Sequence, residues 1–143
     1  MKKIAVIYWS GTGNTEEMAE LIHQAAEKAG AESTLFEVSD FNPETIDDYD
    51  RAAFGCPAMG DEELEEEEFL PVYEACRPHL KGKEIVLFGS YNWAEGEWME
   101  RWAEQAAEED GAVLLTEPLI CRDDPSEDEA VEALKAAGEA LAS

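Results

Sequence analysis

Residues 3–9 (Lys-Ile-Ala-Val-Ile-Tyr-Trp) are apolar from Ile4 onward, without the polar alternation of a half-exposed strand. A strand that is solvated on one face alternates apolar and polar side chains, so this run reads as a strand covered on both faces. Strands of that kind belong to parallel sheets, whose crossover connections lay helices on either side. The rest of the chain follows the same plan. Residues 15–29 place Met18, Leu21, Ile22, Ala25 and Ala29 at helical spacing, and Gly30 supplies the stop. Residues 33–38 alternate like a strand, residues 42–50 read as loop with one helical turn, and residues 51–55 read as a short strand. A helix over 69–76 is entered through the acidic run 65–68 and ends before Pro78. Residues 84–89 form another buried strand, followed by a helix over 97–109 that carries Trp98, Met99, Trp102 and Ala106. A strand over 113–116, resuming near Ile120, precedes a final helix through Leu141, with Ser126 and Glu129 in capping-box positions. Alternation of this kind specifies one α/β domain spanning residues 1–143, a parallel sheet with helices on both faces. Ligands of such sheets sit beyond the carboxyl ends of the strands, so the loops after the first, third and fourth strands are where chemistry is sought.

Charge narrows the class of partner. Asp and Glu number 35 against 10 Lys and Arg, a formal net charge of -25. Nucleic acid and anionic membrane would have to be approached against that field, so neither is an expected partner. A protein with a basic patch would be attracted. Solubility alone, or a saline habitat, accounts for the same composition. The three cysteines, Cys56, Cys76 and Cys121, are odd in number and form no CxxC pair, which argues against a disulfide framework and fits a reducing cytoplasm. The N-terminal apolar run is too short for a signal peptide, and no stretch is long enough to span a bilayer. The expectation is a cytoplasmic monomer.

Ser10-Gly11-Thr12-Gly13-Asn14-Thr15 follows the first strand and opens the first helix. Glycines let the backbone present its N–H groups to an anion, the helix start adds the positive end of its dipole, and the side chains add neutral donors. It is not a Walker A loop, because no Gly-Lys-Ser/Thr closes it. It is not the dinucleotide fingerprint, because Glu16 stands at the third glycine position. A terminal monophosphate held without a cation fits this loop best. The plainer alternative is a helix start capped by Asn or Thr.

The loop after the third strand reads Gly55-Cys56-Pro57-Ala58-Met59-Gly60-Asp61-Glu62-Glu63-Leu64, and the one after the fourth reads Gly89-Ser90-Tyr91-Asn92-Trp93-Ala94-Glu95-Gly96. Met59 and Trp93 thus lie in the two loops that flank the switch point. A flat aromatic ligand between a thioether and an indole gains burial and stacking. Together with Tyr8-Trp9-Ser10-Gly11-Thr12-Gly13-Asn14-Thr15, these segments resemble the short-chain flavodoxins of anaerobic bacteria, and the similarity runs through nearly the whole chain.

That resemblance implies a flavodoxin-like three-layer sandwich with a five-stranded parallel sheet in the order 2-1-3-4-5. It implies a low-potential electron carrier using FMN, with redox proteins bearing basic docking patches as partners. Ser10, Thr12, Asn14 and Thr15 would hold the FMN phosphate, Met59 and Trp93 would cover the two ring faces, and Glu62 would meet the flavin N3–H. Gly11, Gly13, Pro57, Ala58, Gly60, Asp61, Ser90, Tyr91, Asn92 and Gly96 would complete the contacting loops. The peptide between Gly60 and Asp61 would reorient with redox state. Protonation on one-electron reduction turns flavin N5 into a donor, and Gly60 lets a nearby carbonyl swing toward it at low cost. Carboxylates around the ring would oppose a second electron and lower that potential. In the family's pattern Pro57 replaces a serine, and Asn92 and Ala94 replace glycines. An FMN-dependent NAD(P)H or quinone reductase on the same fold is the alternative. A phosphorylation receiver is disfavoured, because the first strand ends in Tyr8-Trp9-Ser10 rather than acidic residues.

The remaining candidates read as ordinary. Trp9, Trp98 and Trp102 are packing residues, Cys56 is a small buried residue, and His23 and His79 join no His-Cys or His-Asp constellation. The acidic run 65–68 reads as a solvated face or a docking surface. No catalytic residue and no metal site is expected.

Overall fold

In the computed structural model the apolar run is a central strand, β1 (Lys3–Tyr8), with Ile4 to Ile7 wholly inaccessible. The structure describes residues 2–143 except 12, 59–64, 66, 92–96, 123–124 and 126–127. The elements that follow are α1 (Asn14–Lys28), β2 (Glu32–Glu37), β3 (Arg51–Gly55), α2 (Phe69–Cys76) and β4 (Glu84–Tyr91). Then come α3 (Glu97–Glu104), β5 (Val113–Leu114), β6 (Leu119–Arg122) and α4 (Asp128–Ala142). Ser126 lies outside the described residues.

All strand pairs are parallel, in the order β2-β1-β3-β4-β5. The fifth position is split, because β6 also pairs with β4. Ile85 opposes Leu114 and Phe88 opposes Leu119, so three steps along β4 correspond to five along the outer strand. Pro118 lies in that gap, where an edge strand tolerates a residue with no N–H to give.

Strand alternation divides the core between the two faces. Ile4, Val6, Tyr8, Ala53, Val86 and Phe88 pack with α1 and α4, whereas Ala5, Ile7, Ala52, Phe54, Ile85 and Leu87 pack with α2 and α3. Burying each large side chain contributes about 1.5–3 kcal/mol relative to exposure. Trp98 and Trp102, 2% and 3% exposed, belong to the second face as packing residues. The helix expected over 97–109 changes pitch: Gln105–Glu109 is a π-turn, which closes through the Asp110 N–H on Gln105 O.

Arg51 is only 9% exposed at the start of β3. Its Nε donates to Glu84, and its Nη1 donates to the carbonyls of Ala140, Leu141 and Ser143, which ties the end of α4 to the sheet.

The acidic run is not one uniform solvated face. Glu67 and Glu68 are exposed, but Glu65 is 7% exposed and turned inward. Its carboxylate accepts the N–H groups of Glu67, Glu68 and Phe69 at 2.9, 2.7 and 2.8 Å, and so caps the start of α2. Burial opposes the charge, but the three donors outweigh it and hold the carboxyl below the usual glutamate range. A group depressed on folding stabilises above its unfolded pKa and ceases to do so as pH falls through the folded value. Glu65→Gln should therefore cost about 1–3 kcal/mol at neutral pH. That cost should shrink in acid once the wild-type carboxyl protonates. Urea unfolding of both proteins across the acid range measures it, and a gap that stayed constant with pH would contradict this role.

Candidate functional site

The loop after β1 enters α1 through a glycine. Gly13 is the N-cap residue, with φ 96° and ψ -10°, and having no side chain it makes no capping bond of its own. That left-handed conformation costs a residue with a Cβ about 1–2 kcal/mol. Ser10 Oγ accepts the Gly13 N–H at 3.0 Å, outside the helix. The first helical bond runs from Glu17 N to Gly13 O, so the N–H groups of Asn14, Thr15 and Glu16 precede the ladder. Asn14 and Thr15 are the first helical residues, so neither is the N-cap residue. No Lys or Arg occurs between residues 4 and 27, so an anion here would be held by backbone, dipole and neutral side chains. Thr12 lies outside the described residues.

Tyr8 and Glu16 brace this loop from below. Tyr8 OH donates to Glu16 Oε2 at 2.8 Å. Burial first, and then that carboxylate, push the phenol well above its usual range, so it remains a donor. Trp9 is partly buried against the core, and a Cβ on Gly11 would stand 3.1 Å from its ring.

Three loops meet at Ser90. Ala58 N donates to Ser90 O at 3.0 Å, carrying the loop after β3 along the end of β4. Thr15 Oγ1 lies 3.0 Å from Ser90 Oγ and also accepts the Ser90 N–H at 3.4 Å, bringing in the first turn of α1. Thr15 and Ser90 are 0% and 4% exposed, so these bonds are made away from water. Cys56 N donates to Phe88 O at 3.1 Å, and Trp9 N to Gly55 O at 3.0 Å, continuing the ladders past the strand ends. Gly89 is required for this closeness, because a Cβ there would overlap the Cys56 carbonyl oxygen.

Among the other expected site residues, Pro57 and Ala58 are half-buried, and Tyr91 leans on Trp98 with centroids 5.9 Å apart. Met59, Gly60, Asp61, Glu62, Asn92, Trp93 and Gly96 lie outside the described residues. Burial pushes the Cys56 thiol up to about 12, so it is a neutral sulfur rather than a reactive thiolate. His79 does have an acidic partner, contrary to expectation: its Nδ1 meets Asp47 Oδ2 at 2.8 Å on the surface. His23 Nδ1 meets Ser33 Oγ at 2.7 Å. Among the described residues no group of three or more His, Cys, Asp and Glu is placed to hold a metal ion, and no helix is long and apolar enough to cross a membrane.

The family model for flavodoxin matches residues 6–136. The chain belongs to the flavodoxin family. It is 44% identical over 124 residues to the flavodoxin of Clostridium beijerinckii, covering 87% of this chain and 89% of that protein. It is 43% identical over 117 residues to the flavodoxin of Megasphaera elsdenii, covering 82% and 85%. The solution structure of two-electron reduced Megasphaera elsdenii flavodoxin superposes with a TM-score of 0.87 at 41% identity, covering 97% of this chain and 98% of that one. This flavodoxin is of the short-chain type found in anaerobes, and it is an FMN-binding electron carrier rather than an enzyme. The described residues fit that cofactor, because a helix start with a glycine N-cap, in a stretch without Lys or Arg and at the junction of three loops, suits a monophosphate.

Proposed function

We propose that this flavodoxin carries single electrons at low potential between cytoplasmic redox proteins, acting as a monomer and docking through its acidic surface. FMN supplies the one-electron chemistry. Ser10, Thr12, Asn14 and Thr15 hold its phosphate, with Thr15 contributing its N–H while its hydroxyl holds Ser90. Met59 and Trp93 cover the ring faces, Glu62 accepts from the ring edge, and the Gly60–Asp61 peptide adjusts to redox state. Gly11, Gly13, Pro57, Ala58, Ser90, Tyr91, Asn92 and Gly96 frame the pocket. The α1 start, with its left-handed Gly13 N-cap at the Ser90 junction, is the observation that carries this reading.

The charge of -25 supports basic partners. It also opposes further negative charge on the cofactor, which separates the two one-electron steps and lowers the second. Anaerobic dithionite titration of the FMN-loaded protein tests this. The expected result is a long-wavelength absorption band that rises to a maximum at half reduction and then fades. Direct bleaching without that band would contradict the one-electron role and favour a two-electron reductase.

A further inference from the structure

Glu16 is the third residue of α1, after Asn14 and Thr15. A glutamate in that position ordinarily turns back onto the N–H of the N-cap residue, drawn there also by the positive end of the helix dipole. In this chain both halves of that contact are engaged elsewhere. The Gly13 N–H is held by Ser10 Oγ at 3.0 Å, and the Glu16 carboxylate accepts from Tyr8 OH at 2.8 Å. Among the described residues no Lys or Arg pairs with Glu16, so the phenol is what holds the carboxylate. Tyr8 is well fixed for that task. It is the last residue of β1, 7% exposed, and it belongs to the core shared with Met18 and Ala19 of α1. Burial and Glu16 raise its pKa, with Glu20 and Glu37 adding to the effect, so the phenol keeps the proton it donates.

We propose that Tyr8 is a positioning residue for the FMN phosphate: by holding the Glu16 carboxylate at the end of β1, it keeps that carboxylate off the N–H groups of the α1 start, which the phosphate then takes. This role rests on the reading of the α1 start as the phosphate site. A carboxylate and a phosphate both offer acceptor oxygens and negative charge, so they call for the same donors. Released from Tyr8, the Glu16 side chain is a competitor tethered to the helix it would occupy, and a tethered group acts at a high effective concentration. It also brings a negative charge toward the phosphate, which opposes binding further. The flavin ring takes no part in this competition, so the effect is confined to ligands that carry the phosphate.

Tyr8→Phe keeps the ring and its packing and removes only the hydroxyl. Dissociation constants for FMN and for riboflavin are measured by fluorescence quenching for wild type, Tyr8→Phe, Glu16→Gln and the double variant, with thermal melting of each apo-protein. Tyr8→Phe should bind FMN about tenfold more weakly, equivalent to ~1.4 kcal/mol, and should bind riboflavin as wild type does. Glutamine has no charge for the helix dipole to attract, so in the Glu16→Gln background the same Tyr8→Phe change should cost FMN nothing. A lower melting temperature alone does not produce that pattern. An equal loss for both flavins, no loss for either, or an FMN loss that persists in the Glu16→Gln background would each overturn the role of Tyr8. Wild-type protein that binds FMN no better than riboflavin is a different result, which sinks the phosphate reading itself.

Discussion

Gly138→Ala should lower the melting temperature by roughly 4–8 °C, the shift that ~2 kcal/mol produces in a domain of this size. Helix propensity alone predicts the reverse, because alanine is favoured over glycine by about 1 kcal/mol inside a helix. Packing decides the sign. Gly138 lies where α4 crosses α1, and a Cβ there would overlap the Ile22 carbonyl oxygen. It would also stand 2.7 Å from Ala25 Cβ and 2.9 Å from Ala26 N. Two of these neighbours are backbone atoms of a regular helix and cannot turn aside, so α1 must move away from α4. Overpacking of that kind costs about 1–3 kcal/mol and sometimes more. The displacement also loosens Met18, Ile22, Leu134 and Leu141 in the same core. Calorimetry of the apo-protein measures the effect, and an unchanged or raised melting temperature would show that the two helices have slack.

Gly89→Ala should weaken FMN binding about ten- to a hundredfold, with a smaller effect on stability. The added Cβ meets the Cys56 carbonyl, with the Cys56 carbonyl carbon 3.0 Å away and the Trp98 ring 3.2 Å away. The carbonyl is the harder obstacle, because the chain after β3 is fastened to β4 on both sides of it. Cys56 N bonds Phe88 O and Ala58 N bonds Ser90 O. Moving the loop strains or breaks these bonds, each worth about 0.5–1.5 kcal/mol net. It also separates the residues leading to Met59 from those leading to Trp93. The loss falls on the cofactor more than on the fold, because the sheet below ends in its own ladder. Equal FMN affinity in the variant, measured by fluorescence quenching, would mean that the loop junction does not govern the pocket.

The order of elements was legible in the sequence because its cause is local. Strands covered on both faces are apolar throughout, as in β1 and β4, and helices covered on one face show the 3.6-residue spacing of Met18, Leu21, Ile22 and Ala25. The pause expected between residue 116 and Ile120 is the break between β5 and β6. The three loops were legible because glycines and short hydroxyl side chains gather there for a shared chemical reason.

What was not legible depends on which distant atoms meet. Glu65 resembles its acidic neighbours in sequence, and only the path of the chain turns it toward the N–H groups of α2. The signal that could have found it was an acid just ahead of an apolar helix start. Arg51 has acceptors on residues 140, 141 and 143, and nothing near it in sequence announces them. His79 meets Asp47 across 32 positions. The π-turn at Gln105–Glu109 likewise reflects how that helix closes toward β5 rather than any residue preference. In the α1 start the sequence allowed both a capped helix and an anion cradle, and the left-handed Gly13 at the N-cap position shows that neither Asn14 nor Thr15 is the cap.

The most direct test of the account is a fluorescence titration of the apo-protein with FMN and, in parallel, with riboflavin, which differs only in lacking the phosphate. The phosphate loop should make FMN bind at least about a hundredfold tighter, since several N–H donors and a helix N-terminus together contribute ~3 kcal/mol or more. Equal affinity for the two flavins would contradict the role assigned to the α1 start, and no quenching by either would contradict the account as a whole.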